Sequence, residues 1–110
     1  MAIVDLTNDN FDQHIESHKL ALIDFWAPWC APCRGFAPIY EAAAEKHPDI
    51  LFARIDTDAE PVLASQFEIR SIPTLLGAAD GTIVEIRLGA LPPDQLEQMI
   101  KKLRVACKLP

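Results

Sequence analysis

What this sequence lacks narrows its function before any motif is read. Ten lysines and arginines stand against sixteen acids, a formal net charge of −6 over 110 residues. The positive field that drives nonspecific nucleic-acid binding is therefore missing, and partners are expected among proteins and small molecules. Long apolar runs are missing too. The longest uncharged stretches, Phe25 to Cys33 and Ser71 to Ala79, fall far short of the roughly 20 apolar residues that span a bilayer, so no membrane association is expected. No basic, apolar leader opens the chain, since the first base is Lys19 and Asp5 interrupts the start; this reads as a cytoplasmic protein. Glycine is scarce at four residues, and no repeat, low-complexity tract or linker is visible, which excludes collagenous, fibrous and disordered classes. Cysteine is scarce as well. Cys30, Cys33 and Cys107 cannot close a disulfide framework, and a chain of this length that is 50% hydrophobic has core enough without one. Chemical rather than structural use of cysteine is expected.

What is present reads as one domain, 1–110, of strands alternating with helices. Ala2 to Leu6 suits a short strand, and the polar Thr7 to Asn10 offers caps to a helix that turns Phe11 and Ile15 inward and ends near Lys19. Leu20 to Trp26 is an almost unbroken apolar run, the mark of a central strand buried on both faces, with Asp24 its one anomaly. A helix is expected from about Cys30 to Lys46 or His47, with Pro38 inside it as a source of kinking. Ile50 to Ile55 is strand-like, and Asp56, Asp58 and Pro61 then open a short helix through Phe67. Thr74 to Ala78 and Thr82 to Leu88 flank Asp80-Gly81, a hairpin turn signal. After Pro92, Pro93 and Asp94, the positions Leu96, Met99, Ile100 and Leu103 fall at i, i+3, i+4 and i+7 and make one apolar helix stripe. The order βαβαβαββα implies an α/β fold, a mixed sheet covered on both faces.

Cys30-Ala31-Pro32-Cys33 lies where the central strand gives way to a helix. Open α/β sheets place their sites beyond the carboxyl ends of strands, and a helix N-terminus favours a thiolate through its free N–H groups and dipole. Two thiols one turn apart can close a short disulfide, with one attacking and the other resolving. A zinc knuckle is the bland alternative, but no second cysteine pair exists to complete four ligands. Asp24 shares a strand face with Leu20, Leu22 and Trp26 by period two, and its strand leads straight to the cysteines. That position sets it apart from an ordinary structural acid. His14 and His18 are spaced to share a helix face but lack a third ligand, so they read as solvated side chains and no metal is expected. Lys101, Lys102, Arg104 and Lys108 read as complements to the negative end of the last helix, Cys107 as a bystander in a frayed tail, and Trp26 as a packing residue.

The segment Phe25-Trp26-Ala27-Pro28-Trp29-Cys30-Ala31-Pro32-Cys33 closely resembles the active-site segment of the thioredoxin family. The resemblance extends over nearly the whole chain through Asp24, Pro38, Ile72-Pro73-Thr74 and Gly89-Ala90. It implies the thioredoxin fold, a five-stranded mixed sheet flanked by four helices in three layers, and a dithiol that reduces disulfides in other proteins. By the same resemblance Cys30 is the nucleophile, Cys33 the resolving thiol, Asp24 a buried proton acceptor and Pro73 a cis-proline facing the disulfide. Trp29, Ile72, Pro73, Gly89 and Ala90 would form the substrate rim. No bound cofactor is implied beyond the redox-active disulfide, and electrons would come to a monomer from an NADPH-dependent thioredoxin reductase. Departures from the family pattern fall at Ala31, where glycine is most common, at Gly35, at Gly77-Ala78 and at Arg54, where a lysine near the buried acid is usual. Two other readings stay open: an oxidant or isomerase on the same fold, and a noncatalytic binding module.

Overall fold

Leucine, isoleucine and phenylalanine at alternating positions give the central strand two apolar faces, and the rest of the chain is arranged to cover them. The structure is a computed structural model that describes residues 3–108. Its elements run β1 (Ile3–Asp5), α1 (Phe11–Glu16), β2 (Leu20–Trp26), α2 (Ala31–Lys46), β3 (Leu51–Asp56), α3 (Pro61–Gln66), β4 (Thr74–Ala79), β5 (Thr82–Leu88) and α4 (Pro93–Lys108). Ala2, part of the expected first strand, lies outside the described residues. The five strands form one sheet in the order β1-β3-β2-β4-β5, with β1, β3 and β2 parallel and β4 and β5 antiparallel.

Period two along β2 divides the core. Leu20 and Leu22 join Phe36, Tyr40, Phe52, Leu75, Met99 and Leu103 on the side covered by α2 and α4. Ala21, Ile23 and Phe25 join Ile55, Leu63 and Leu76 on the side of α1 and α3. The α4 stripe is as the spacing predicts, with Leu96, Met99, Ile100 and Leu103 each 1% exposed. Gly77 is what allows α4 to lie so close: a Cβ there would stand 3.3 Å from the Met99 methyl and 3.5 Å from Leu103. At the hairpin, Asp80 and Gly81 have φ of 52° and 78°, the left-handed pair that a two-residue turn needs to match strand twist.

Several local expectations are corrected. α1 stops at Glu16 rather than near Lys19, and Asn10 does not cap it; Asn10 and Thr7 instead exchange hydrogen bonds with each other's backbone N–H groups. Asp56 and Asp58 do not cap α3, whose N-cap is Glu60; the Asp56 carboxylate accepts from the N–H groups of Asp58 and Ala59 and closes a turn. The sheet is not fully covered, since edge strand β5 leaves Ile83, Val84, Ile86 and Leu88 exposed. Arg104 does not serve its own helix end. It forms a two-pronged pair with Asp49, 2.6 and 3.0 Å, tying α4 to the turn before β3 and holding the Asp49 carboxyl down at about 2 through that hydrogen bond. The Lys108 side chain lies outside the described residues.

Cys107 is not in a frayed tail but within α4, half-buried against the α2 side of the core. That placement is remote from the other two cysteines in sequence and in the fold. Cys107→Ser is therefore expected to leave insulin reduction unchanged and to remove only oxidative crosslinking; a large loss of turnover under reducing conditions would refute this.

Gly35 sits inside α2, exposed, with nothing within 4 Å of where a Cβ would project. Helical glycine carries an entropic penalty without any packing return here, so Gly35→Ala should stabilise the protein by about 1 kcal/mol. Denaturant titration checks this, and a destabilised variant would show that the open space is not open.

Candidate active site

At the carboxyl end of β2 the chain leaves the sheet through Ala27-Pro28-Trp29 and enters α2. Cys30 is the N-cap, with extended backbone (φ −84°, ψ 109°), and its Sγ accepts a hydrogen bond of 3.3 Å from the Cys33 N–H. Pro32 occupies the first turn, where its missing N–H leaves no unpaired donor. Cys30 and Cys33 are joined as a disulfide with Cα atoms 5.3 Å apart. An N–H aimed at Cys30 Sγ from the first helical turn is the arrangement that stabilises a thiolate at that atom.

Around the disulfide lie Ala27, Trp26 and Ile72. The Ile72–Pro73 peptide is cis, and the Ile72 carbonyl oxygen is 3.9 Å from Cys30 Sγ. Gly89 follows β5 with a φ of 87° and donates its N–H to the Pro73 carbonyl at 2.8 Å, so the structure brings this turn to Pro73. Ala90 is exposed beside it. Trp29 is 67% exposed, yet it is not loose: its indole N–H donates to Asp58 Oδ2 at 2.8 Å. Asp58 is a site residue that sequence reasoning assigned to a helix cap. Its only sequence signal was an acid in the loop after β3, which does not distinguish the two uses.

Behind the disulfide the sheet holds a carboxyl group. Asp24 is 5% exposed and its Oδ1 has no hydrogen-bond partner among the described residues. A cavity of about 220 Å³ joins it to Cys33, with Trp26, Tyr40, Glu41 and Arg54 among the residues around it. Cys30 is not on this cavity's wall. Burial raises the Asp24 pKa from 3.8 to about 7, the Arg54 charge opposing the rise. Tyr40 does not answer the orphaned oxygen, because its hydroxyl lies between the carbonyls of Leu22 and Ala53 at 3.0 and 2.8 Å, which share its single proton. Its own pKa is pushed well up, chiefly by burial and then by Asp24.

Trp26 does more than pack. Half-buried, it carries the Arg54 guanidinium 4.8 Å above its ring. His14 and His18 do not share a helix, since α1 ends at Glu16 and His18 lies beyond it; their rings stack with centroids 6.5 Å apart, and His18 Nδ1 lies 2.8 Å from the His14 carbonyl oxygen. Among the described residues no group of three or more His, Cys, Asp or Glu is placed to hold a metal ion. No helix among them is long and apolar enough to cross a membrane.

The family model for thioredoxin matches residues 2–102 of the chain. A putative thioredoxin 2 from Streptomyces coelicolor is 48% identical over 101 residues, covering 92% of this chain and 75% of that protein. A thioredoxin from Alicyclobacillus acidocaldarius is 44% identical over 100 residues, covering 90% and 95%. Among solved structures, a mutant thioredoxin from Halobacterium salinarum superposes with a TM-score of 0.86 at 33% identity, covering 92% of this chain and 89% of that one.

Proposed function

Because the chain belongs to the thioredoxin family, it is a thiol–disulfide oxidoreductase acting on disulfides in other proteins, and we propose that Cys30 attacks, Cys33 resolves and Asp24 takes the proton. The observation that carries this division of roles is the cavity: it connects the Asp24 carboxyl to Cys33 and leaves Cys30 facing Ile72.

In the reduced protein the Cys30 thiolate attacks one sulfur of the substrate disulfide. That bond breaks, the departing sulfur leaves as a thiolate and is protonated, and a mixed disulfide joins Cys30 to the other sulfur. Cys33 then gives its proton to Asp24, and its thiolate attacks Cys30 Sγ. The second substrate sulfur is expelled and protonated, and the Cys30–Cys33 disulfide described above is the product. Two electrons pass from the dithiol to the substrate, whose two sulfurs end as thiols. A carboxyl titrating near 7 suits the middle step, because a base works best when its pKa lies near the working pH.

Trp29, Ile72, Pro73, Gly89 and Ala90 form the rim on which an extended substrate segment docks. Trp29 supplies a rigid aromatic face because Asp58 fixes its indole. Restoring the dithiol needs a two-electron donor, for which we assign an NADPH-dependent thioredoxin reductase. The chain works as one domain, 1–110, and as a monomer, with no bound cofactor. A dithiol reductant must be kept reduced, which supports a cytoplasmic location. Insulin reduction driven by a dithiol donor tests the reading: catalysed precipitation of the insulin chains supports it, and no rate above the donor alone would reject it. A measured reduction potential on the oxidising side would instead favour the oxidant or isomerase.

A further inference from the structure

We propose that Asp5 is a positioning residue for the disulfide chemistry: it holds the Arg54 guanidinium at the outer edge of the sheet, over Trp26, and so withholds that cation from the buried carboxyl of Asp24. The inference rests on the proton-acceptor reading of Asp24 given above.

The sheet register creates the choice. Asp5 on β1 is the direct partner of Arg54 on β3, and Arg54 is in turn the direct partner of Asp24 on β2. Residues paired across neighbouring strands point to the same face, so one base lies between two acids in a single row. The two acids differ in environment. Asp5 is mostly exposed, with 68% of its side chain open to solvent, whereas Asp24 is buried. The base has gone to the exposed acid: Arg54 Nε donates to Asp5 Oδ1 at 2.5 Å, and its guanidinium lies 4.8 Å over the Trp26 ring. Asp24 Oδ1 is left without a partner although Arg54 lines the same cavity.

Among the described residues no other group compensates Asp24. From α2, the Tyr40 hydroxyl proton is directed at the Leu22 and Ala53 carbonyls, Arg34 donates to the Pro28 carbonyl at 2.9 Å, Glu41 is an acid and Cys33 is bound in the disulfide. From β4 the register partner of Asp24 is Leu75, which carries no charge. Arg54 is therefore the cation whose position sets how much charge the buried carboxyl tolerates, and Asp5 is the group that holds it. An Asp24–Arg54 pair would keep the carboxylate ionised and weaken it as a base; the observed arrangement keeps it ready to accept a proton.

The test is a carboxyl-carbon NMR titration of Asp24 in the oxidised protein, run beside the pH profile of mixed-disulfide resolution in the reduced one. In Asp5→Asn the freed Arg54 is expected to turn toward Asp24 and lower both midpoints by roughly half a pH unit, the scale of an exposed ion pair. Asp5→Glu should retain the wild-type midpoints. Deleting a nearby negative charge lowers a carboxyl pKa by itself, so the deciding measurement is Asp5→Asn in an Arg54→Gln background. There only the smaller shift due to the lost Asp5 charge itself should remain; a shift of full size would overturn the proposal, as would an unmoved Asp24 titration in Asp5→Asn alone. If the Asp24 titration moves and the resolution profile does not, the tether stands and the proton-acceptor role of Asp24 falls.

Discussion

Cys33→Ser is expected to abolish turnover while leaving the first chemical step intact, so that the protein accumulates covalently bound to its substrates through Cys30. Cys30 Sγ keeps its place at the α2 N-terminus in this variant, and the position 33 N–H that supports its thiolate belongs to the backbone, which the substitution does not alter. Attack on a substrate disulfide proceeds, and nothing displaces the product because a serine hydroxyl is not ionised near neutral pH. Nonreducing electrophoresis after mixing with an oxidised protein substrate should show the adduct, and added dithiol should release it. Cys30→Ser should show neither adduct nor turnover. Exposure does not separate the two cysteines, at 4% for Cys30 and 2% for Cys33; what separates them is that Cys33, and not Cys30, lines the cavity shared with Asp24. Adducts formed by Cys30→Ser and not by Cys33→Ser would reverse the assignment of roles.

Asp24→Asn is expected to change both stability and rate, each with a defined dependence on pH. In the folded protein burial raises this carboxyl from 3.8 to about 7, against the opposing pull of Arg54. Below the unfolded value the group is protonated in both states and imposes no penalty. As pH rises from there, the unfolded chain releases the proton and the folded chain retains it, so stability falls through the window up to the folded pKa. At about 1.36 kcal/mol per unit, the loss reaches on the order of 4 kcal/mol by neutral pH. The asparagine variant does not titrate. Its stability relative to wild type should therefore grow by that amount between pH 4 and 7, as read from urea midpoints at a constant slope. A difference independent of pH would reject the raised pKa. In kinetics, the wild-type rate of mixed-disulfide resolution should rise with pH through about 7, where Asp24 becomes able to take the Cys33 proton. The variant should lose that inflection and resolve about 10² to 10⁴ times more slowly, the usual contribution of a positioned base. An unchanged rate would reject the proton-transfer role.

Much of the architecture is legible in the sequence because it depends on short-range pattern. The apolar alternation of Leu20 to Phe25 places β2 and its two faces, the Asp80-Gly81 pair places the hairpin, and the spacing of Leu96, Met99, Ile100 and Leu103 places α4. Where the expectation fails, a polar side chain has several partners within reach and local sequence does not rank them. Asp58 serves Trp29, 29 residues away, rather than the N-terminus of α3. Arg104 crosses 55 residues to Asp49 rather than serving the end of its own helix. Asn10 and Thr7 satisfy each other instead of capping α1.

The same division runs through the site itself. Cys30-Ala31-Pro32-Cys33 at a helix start just after a strand that carries Asp24 is determined by sequence alone, because chain neighbours are held together by covalent geometry and by the strand and helix periods. What Asp24 can do is decided only by tertiary structure. Its burial comes from α2 closing over the sheet, and its Oδ1 is without a partner while the Tyr40 proton is directed at the Leu22 and Ala53 carbonyls and Arg54 donates to Asp5. The position of Arg54 comes from the pairing of β1 with β3, which brings Asp5 to it across 49 residues of chain. Desolvation and Coulomb interaction depend on distance in space and on the exclusion of water, and neither quantity exists until the strands are in register.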